Sequence, residues 1–309
     1  MSMSSMPTTG HIPPVAFDFP WPIPARYSRP PVWTGRGFEI DGAVMPILSY
    51  GVGSSGWTDD LTSFHEETAG ASHPIDQASR RHALEQLEKY LNSLSPAVLE
   101  VGCSSGFMLR LMRERLPQAF VMGSDYVRRP LEQLAADMPN VPLLQFDLVR
   151  CPLPEKSVDA AVLLNVLEHI QDDAAAVRQL YRILKPGGVV VIEVPAGPHL
   201  YDVYDKLLLH YRRYTLAGLH RLVKDAGFQV LEQSHLGFFI YLGFRLVKQR
   251  NRRFLSEGEA VQQHVVARNI RSTEKNRLLD VIMHIELMLG RWVSYPIGIR
   301  CLLTCVKAS

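Results

Sequence analysis

Several absences narrow the reading of this chain. Long apolar runs are missing: the most apolar stretch, Leu236 to Val247, is interrupted by Arg245 and is too short to span a bilayer. Cysteine is scarce, with four residues at positions 103, 151, 301 and 305. None forms a CxxC pair and no His/Cys group has zinc spacing, so no metal site is expected and the thiols are expected reduced. Charge of one sign is missing too. Lys and Arg number 33 against 31 Asp and Glu, a net of +2. No basic excess is available to neutralise phosphates, so no nucleic-acid partner is expected. The opening MSMSSMPTTGHIPP lacks the basic and apolar regions of a secretion signal, and a cytoplasmic location is expected.

What remains is ordinary globular composition, 47% apolar and 21% charged over 309 residues. That length buries one large core, or one core with an accessory unit. The first forty or so residues are rich in proline, which disfavours helix and central strand. With aromatics at Phe17, Phe19, Trp21 and Trp33, they read as an arm lying along a surface. Residues 51–73 are rich in Gly, Ser, Thr and acids and read as a loop or lid. Tyr50, Trp57 and His65 are its candidates for closing over a site, and deleting everything before Gly70 is expected to abolish turnover while the core still folds.

From Pro74 the periodicity changes. Leu84, Leu87, Leu91 and Leu94 share a helix face. Apolar strands at 97–101, 120–125, 141–146, 158–164 and 189–194 then alternate with helical patterns. That alternation predicts a parallel sheet covered on both faces. Thr215 is placed to cap a further helix that Gly227 ends, followed by a strand at 228–231. Residues 236–296 are helical in pattern and apolar, and 301–306 read as a last strand. The implied division is an arm and lid at 1–73, a core at 74–235, a helical insert at 236–297 and a final core strand at 298–309.

The strongest chemical signal is the set Glu100, Gly102, Gly106, Asp125 and Asp147. A glycine turn after the first core strand lets backbone approach a ligand closely. An acid at the end of the second strand suits ribose hydroxyls. A third acid, after the third strand, can accept from an adenine amino group. Three acids without a phosphate-binding lysine point to a nucleoside ligand lacking a polyphosphate. The turn Gly102-Cys-Ser-Ser-Gly106 is not the G-x-G-x-x-G of dinucleotide sites.

On these residues the chain resembles the class I S-adenosylmethionine-dependent methyltransferases. Leu99-Glu-Val-Gly-Cys-Ser-Ser-Gly-Phe107 is similar to their first motif, with Ser104 where many members carry glycine. Phe146-Asp-Leu, Asn165-Val-Leu-Glu-His169, Leu184-Lys-Pro-Gly-Gly188 and His210-Tyr-Arg-Arg-Tyr214 resemble the bacterial branch that includes the ubiquinone O-methyltransferases. The resemblance covers roughly residues 76–231 and the last strand. It implies an α/β, doubly wound, mostly parallel seven-stranded sheet (a Rossmann-like methyltransferase fold) whose final strand runs antiparallel, with the N-terminal arm and the C-terminal insert added. It implies S-adenosyl-L-methionine as cofactor. Glu100, Gly102, Cys103, Ser104 and Gly106 would lie at its amino-acid part, Asp125 and Tyr126 at the ribose, Asp147 and Leu148 at the adenine. Asn165 and Val166 would line the pocket. His210 and His169 are candidates for a general base, with Arg213 and Tyr214 beside them.

Each assignment has a plainer alternative. Gly102-x-Ser104-x-Gly106 also matches the nucleophile elbow of α/β-hydrolases, with Ser104 as nucleophile, but that reading leaves Asp125 and Asp147 without roles. His169 could be a helix-entry histidine bonded to backbone. The arginines at 212 and 213 could pair with Asp202 or Asp205 and only fix their loop. Residues 236–253 could form an interfacial helix in peripheral contact with a membrane, or a buried helix over the acceptor pocket; the buried one is expected. The favoured activity is methylation of a small-molecule acceptor, at oxygen, in a biosynthetic pathway. The alternatives are a lipid-linked or glycan acceptor at a membrane surface, and an accessory subunit without catalysis. Leu163-Leu-Asn-Val166 is not the Asn-Pro-Pro-Tyr type of motif, which argues against methylation of nucleic acid or amide nitrogen. A homodimer is left open.

Overall fold

A computed structural model describes residues 17–51, 73–273 and 276–308. Its centre is an eight-stranded sheet, one strand more than expected. The strands are β4 (Ile47–Ser49), β5 (Ala97–Val101), β6 (Phe120–Asp125), β7 (Leu143–Gln145), β8 (Val158–Leu164), β9 (Leu184–Pro195), β10 (Phe228–Leu236) and β11 (Arg300–Lys307), in the spatial order β10-β11-β9-β8-β5-β6-β7-β4. The pairs from β9 through β4 are parallel, and β11 runs antiparallel to both β9 and β10.

The strands buried on both faces are the ones without hydrophobic alternation. In β5 every residue of Ala-Val-Leu-Glu-Val is buried, as parallel pairing with helices above and below requires. Helices α1 (Pro74–Tyr90), α2 (Phe107–Arg115) and α3 (Arg128–Asp137) contribute to one of the two apolar cores with Leu87, Met108 and Leu131. Helices α4 (Asp173–Ile183) and α6 (Leu216–Asp225) contribute to the other with Leu180 and Leu219. The starts are capped as the sequence suggests: Asp172 accepts from the Ala175 amide, and Thr215 from that of Gly218. β9 begins at Leu184, ahead of the glycine pair rather than after it.

The extra strand comes from the arm. Ile47, Leu48 and Ser49 pair with Leu143, Leu144 and Gln145 at the sheet edge. A small antiparallel sheet, β1 (Val32–Trp33), β2 (Phe38–Ile40) and β3 (Ala43–Met45), precedes it. Phe17 stacks on Phe120 of β6, and Trp21 meets Phe38 edge-on. Phe19, Trp21, Phe38 and Leu48 all belong to the main core. The expectation that the core folds without residues 1–69 is therefore corrected: that deletion removes an edge strand and the buried side chains of Phe19, Trp21, Phe38, Ile40, Ile47 and Leu48, and losing one such side chain costs roughly 2–5 kcal/mol. Tyr50 is part of this arm, its hydroxyl donating to the Pro22 carbonyl at 2.9 Å. Trp57 and His65 lie outside the described residues.

Between β10 and β11 the chain forms α7 (Tyr241–Asn251), α8 (Glu259–Thr273) and α9 (Arg277–Gly290), preceded in the core by the short α5 (Val203–Leu207). Tyr241 of α7, Leu279 and Met283 of α9 and Ile75 of α1 share one apolar cluster, which seats the insert over the C-terminal ends of the strands. No helix among the described residues is long and apolar enough to cross a membrane.

Candidate functional site

The order β9-β8-β5-β6-β7 places the topological switch of the sheet between β5 and β8, since the chain leaves β5 in one direction and returns at β8 in the other. Ligands of open α/β sheets bind at that point, beyond the C-terminal ends of the strands. A cavity of about 1320 Å³ lies there. It runs from the turn after β5 to the inner face of the insert.

The turn is built by backbone that only some residues tolerate. Gly102 and Gly106 have φ of 74° and 72°, and Ser104 between them has φ of 41°. A Cβ on Gly102 would stand 2.6 Å from a methyl of Val166, and one on Gly106 2.4 Å from a methyl of Leu134. The turn is held open from below by Asp125. One carboxylate oxygen accepts from the Ser104 amide and the other from the Val127 amide, both at 2.9 Å. Asp147 uses one oxygen to cap the turn after β7, accepting from the Val149 amide at 3.0 Å.

Glu100, Cys103, Ser104, Tyr126, Leu148 and Val166 line this end of the cavity, as do Gly102, Asp125, Asp147 and Asn165. Gly106 does not; it shapes the turn from behind. Glu100 is buried, its Oε2 has no hydrogen-bond partner, and burial followed by the Asp125 charge pushes its carboxyl well above the usual range. The buried Cys103 thiol is likewise pushed well up, first by desolvation and then by Asp125. Asn165, at the end of β8, has φ of 56°, which turns the chain sharply toward Glu168 and His169.

The other end is a buried polar network. Asp205 on α5 accepts from His210 Nδ1 at 2.9 Å and Arg213 at 2.8 Å through one oxygen, and from Lys248 at 3.1 Å through the other. Lys248 also reaches Asp202 at 2.7 Å, and Asn251 donates to the same carboxylate. These cations hold the Asp205 carboxyl well below its ordinary value against the opposing effect of burial. Burial lowers His210, which keeps the ring neutral near pH 7. The His169 ring meets that of His210 edge-on, with centroids 4.6 Å apart. Glu168 is fully buried, both its oxygens lack hydrogen-bond partners, and desolvation pushes its carboxyl up to about 8. Glu168, His169 and His210 each present a ligand atom within 4.8 Å of the others, a grouping that could hold a metal ion. Sequence spacing gave no sign of it, because His210 arrives from a separate loop.

Two catalytic expectations meet a different arrangement. Arg213 borders the cavity, but its donors go to the Ala196 carbonyl, Asp205 and the Ile299 carbonyl. Tyr214 does not line the cavity: its hydroxyl donates to the Leu167 carbonyl and Asp173. Both residues anchor the loop, as does Arg212 on Asp173 and the Gln171 carbonyl. Residues that sequence reasoning missed also wall the cavity. Arg300 on β11 pairs with Glu193 at 2.6 Å and with Asp76 of α1. Asp76 and Arg80, one helical turn apart at the start of α1, both face the cavity, and that spacing was the available signal.

This is a Rossmann-like fold with a nucleoside-sized glycine turn. Residues 75–233, just over half of the chain, match the family described as a methyltransferase domain. The chain belongs to that family and carries a class I S-adenosylmethionine-dependent methyltransferase domain. It is 34% identical over 144 residues to a protein of Mycolicibacterium smegmatis named as a probable S-adenosylmethionine-dependent methyltransferase, covering 46% of this chain and 54% of that one. It is 24% identical over 176 residues to a ubiquinone biosynthesis O-methyltransferase of Neisseria meningitidis, covering 51% and 74%. The chain spans about half the length of the mycobacterial relatives it matches. Among solved structures, Haemonchus contortus phosphoethanolamine N-methyltransferase 2 in complex with S-adenosyl-L-methionine aligns with a TM-score of 0.53 at 18% identity, over 80% of this chain and 57% of that one. The cyclase SpnF aligns at 0.51 and 17%, over 80% and 91%. Those likenesses concern the fold. Both sequence relatives given above carry methyltransferase names, and the hydrolase alternative on Ser104 gains nothing from them.

Proposed function

We propose that the chain transfers a methyl group from S-adenosylmethionine to an oxygen of a small biosynthetic acceptor. The observation that carries this reading is one continuous cavity, with a nucleoside-sized glycine turn at one end and a buried Asp205–His210 pair at the other. On this reading the chain divides into an arm and lid at 1–73, whose strand β4 joins the sheet edge, a binding core at 74–235 completed by 298–309, and an insert at 236–297 that covers the acceptor end.

The residues present fit the cofactor. The unpartnered Glu100 oxygen suits the cationic amino-acid part, and the Cβ-free approach at Gly102 admits backbone beside it. Cys103 and Ser104 complete that wall, Asp125 and Tyr126 would take the ribose, and Asp147 with Leu148 the adenine. Asn165 and Val166 close the pocket beneath. Bound there, the cofactor supplies a methyl carbon on a sulfonium, open to in-line attack. Positioning and exclusion of water then provide most of the rate. The protein's remaining task is a proton. With Nδ1 of His210 donating to Asp205, Nε2 of the neutral ring would accept the acceptor's hydroxyl proton as the methyl carbon passes from sulfur to that oxygen, leaving S-adenosylhomocysteine. His169, against the same ring, helps set its plane.

The experiment is calorimetric titration with S-adenosylmethionine, S-adenosylhomocysteine and NADH, repeated on Asp125→Ala, followed by a screen of hydroxylated small molecules with methyl-labelled cofactor. Binding of both adenosyl ligands and not NADH, weakened at least tenfold in the variant, is the expected result. Binding of NADH alone, or none at all, overturns the reading.

A further inference from the structure

The insert has two apolar sides, one toward the cavity and one turned largely away from it. Phe244 of α7 and Leu279 and Ile282 of α9 look inward. On the outward side of α7, Leu242 and Leu246 are 72% and 67% exposed. Along α9 and just beyond it, Leu278, Val281, Ile285, Met288 and Trp292 follow one another three or four residues apart, so they form a single stripe. Leu278 is 70% exposed and Trp292 88%. Soluble proteins seldom leave so many large apolar side chains together in water.

The charges of α7 and the turn after it have one sign, whereas the α9 stripe carries one exposed acid, Asp280. From Tyr241 to Leu255 the chain carries Arg245, Lys248, Arg250, Arg252 and Arg253 and no acid. Lys248 is taken into the buried network, and the four arginines are exposed. An outward apolar stripe with an exposed tryptophan, beside a helix and turn whose four exposed arginines outnumber the stripe's one exposed acid, is complementary to the acyl boundary and anionic headgroups of a bilayer. Phe239, Val247 and Leu278 both line the cavity and stand exposed, so the cavity reaches the surface on this same side.

We propose that α7 and α9 dock this enzyme on an anionic membrane surface, with the mouth of its cavity turned toward the lipid. The docking requires no part of the methyl-transfer reading; the benefit to the reaction, access to an acceptor held at the bilayer, rests on it.

The test is flotation of the full chain with vesicles of phosphatidylcholine alone and of phosphatidylcholine mixed with phosphatidylglycerol. The expected result is that the chain rises with the mixed vesicles, much less with the neutral ones, and that raised salt releases it. Leu242→Ser with Leu246→Ser and Trp292→Ser, all outside the cavity lining, should abolish most of the flotation. Arg245→Glu should weaken it at least roughly fivefold, the factor set by one basic side chain at an anionic surface. Calorimetric titration with S-adenosylhomocysteine on the same samples separates lost docking from lost folding and from failure of the cofactor reading. A full chain that stays down with both vesicle types overturns the proposal. So does a dimer that the serine variant converts to monomer without any flotation, because a second copy would then cover the face.

Discussion

His210 and Asp205 stand 2.9 Å apart, Nδ1 to carboxylate, in a place where both side chains are shielded from water. The same carboxylate also accepts from Arg213 and Lys248 and stays ionised, so Nδ1 must donate to it and the ring is fixed in one tautomer with Nε2 as its basic nitrogen. Replacing His210 by Gln should lower kcat by about 10²–10⁴-fold, the usual worth of a positioned base. Affinity for S-adenosylhomocysteine should not change. Turnover is read with the acceptor that the labelled-methyl screen returns, and a variant of full activity removes the base from His210.

The glycine turn makes a second, sharper prediction. Gly102→Ala places a Cβ 2.6 Å from the Val166 methyl in backbone at φ of 74°. Strain of that kind costs about 1–3 kcal/mol, so adenosyl-ligand binding should weaken tenfold or more. Adding Val166→Ala removes the clash and leaves the strained dihedral, and should recover only part of the affinity. Full recovery in titration calorimetry would show that the dihedral is unimportant.

Much of this end of the site is legible in the sequence, because glycines and acids sit at strand ends whose positions follow from periodicity. The rest depends on partners that sequence does not display. Arg213 and Tyr214 read as catalytic because they cluster after a strand, yet their partners include backbone carbonyls at Ala196, Ile299 and Leu167. The eighth strand is three residues long, too short for any period to show. In the sequence Lys248 is one of five basic residues between 245 and 253. That it alone turns inward is decided by two acids more than forty positions earlier.

Glu168 gives a pH dependence. Its carboxyl is pushed up to about 8 in the fold, against an ordinary value of about 4.3. Between those values the folded chain holds a proton that the unfolded chain has released, so stability falls as pH rises through the window. The full effect is of order 4–5 kcal/mol. Glu168→Gln removes this titration. The variant should gain stability over the parent progressively from pH 5 to pH 8, measured as denaturant midpoints at a series of pH values. Parallel curves for the two proteins would mean that Glu168 is already charged in the fold and faces a cation.

The insert helix should be tied to the core chiefly through its one buried charge. Lys248 lies between Asp202 and Asp205, and both carboxylates are fully shielded. Removing one member of a buried pair leaves uncompensated charge and costs about 3–5 kcal/mol. Burial already raises Asp202 and Lys248 opposes that rise, so losing Lys248 should raise it further. Asp205 keeps Arg213 and His210 and stays ionised. Lys248→Met, which keeps the length of the stem, should therefore unfold at markedly lower denaturant, with a penalty that shrinks as pH falls and Asp202 is neutralised. Arg253→Met on the exposed side of the same segment should change stability by no more than about 0.5 kcal/mol. Equal and small effects from the two substitutions would mean that α7 is held by its apolar contacts alone and that the lysine is incidental to the fold.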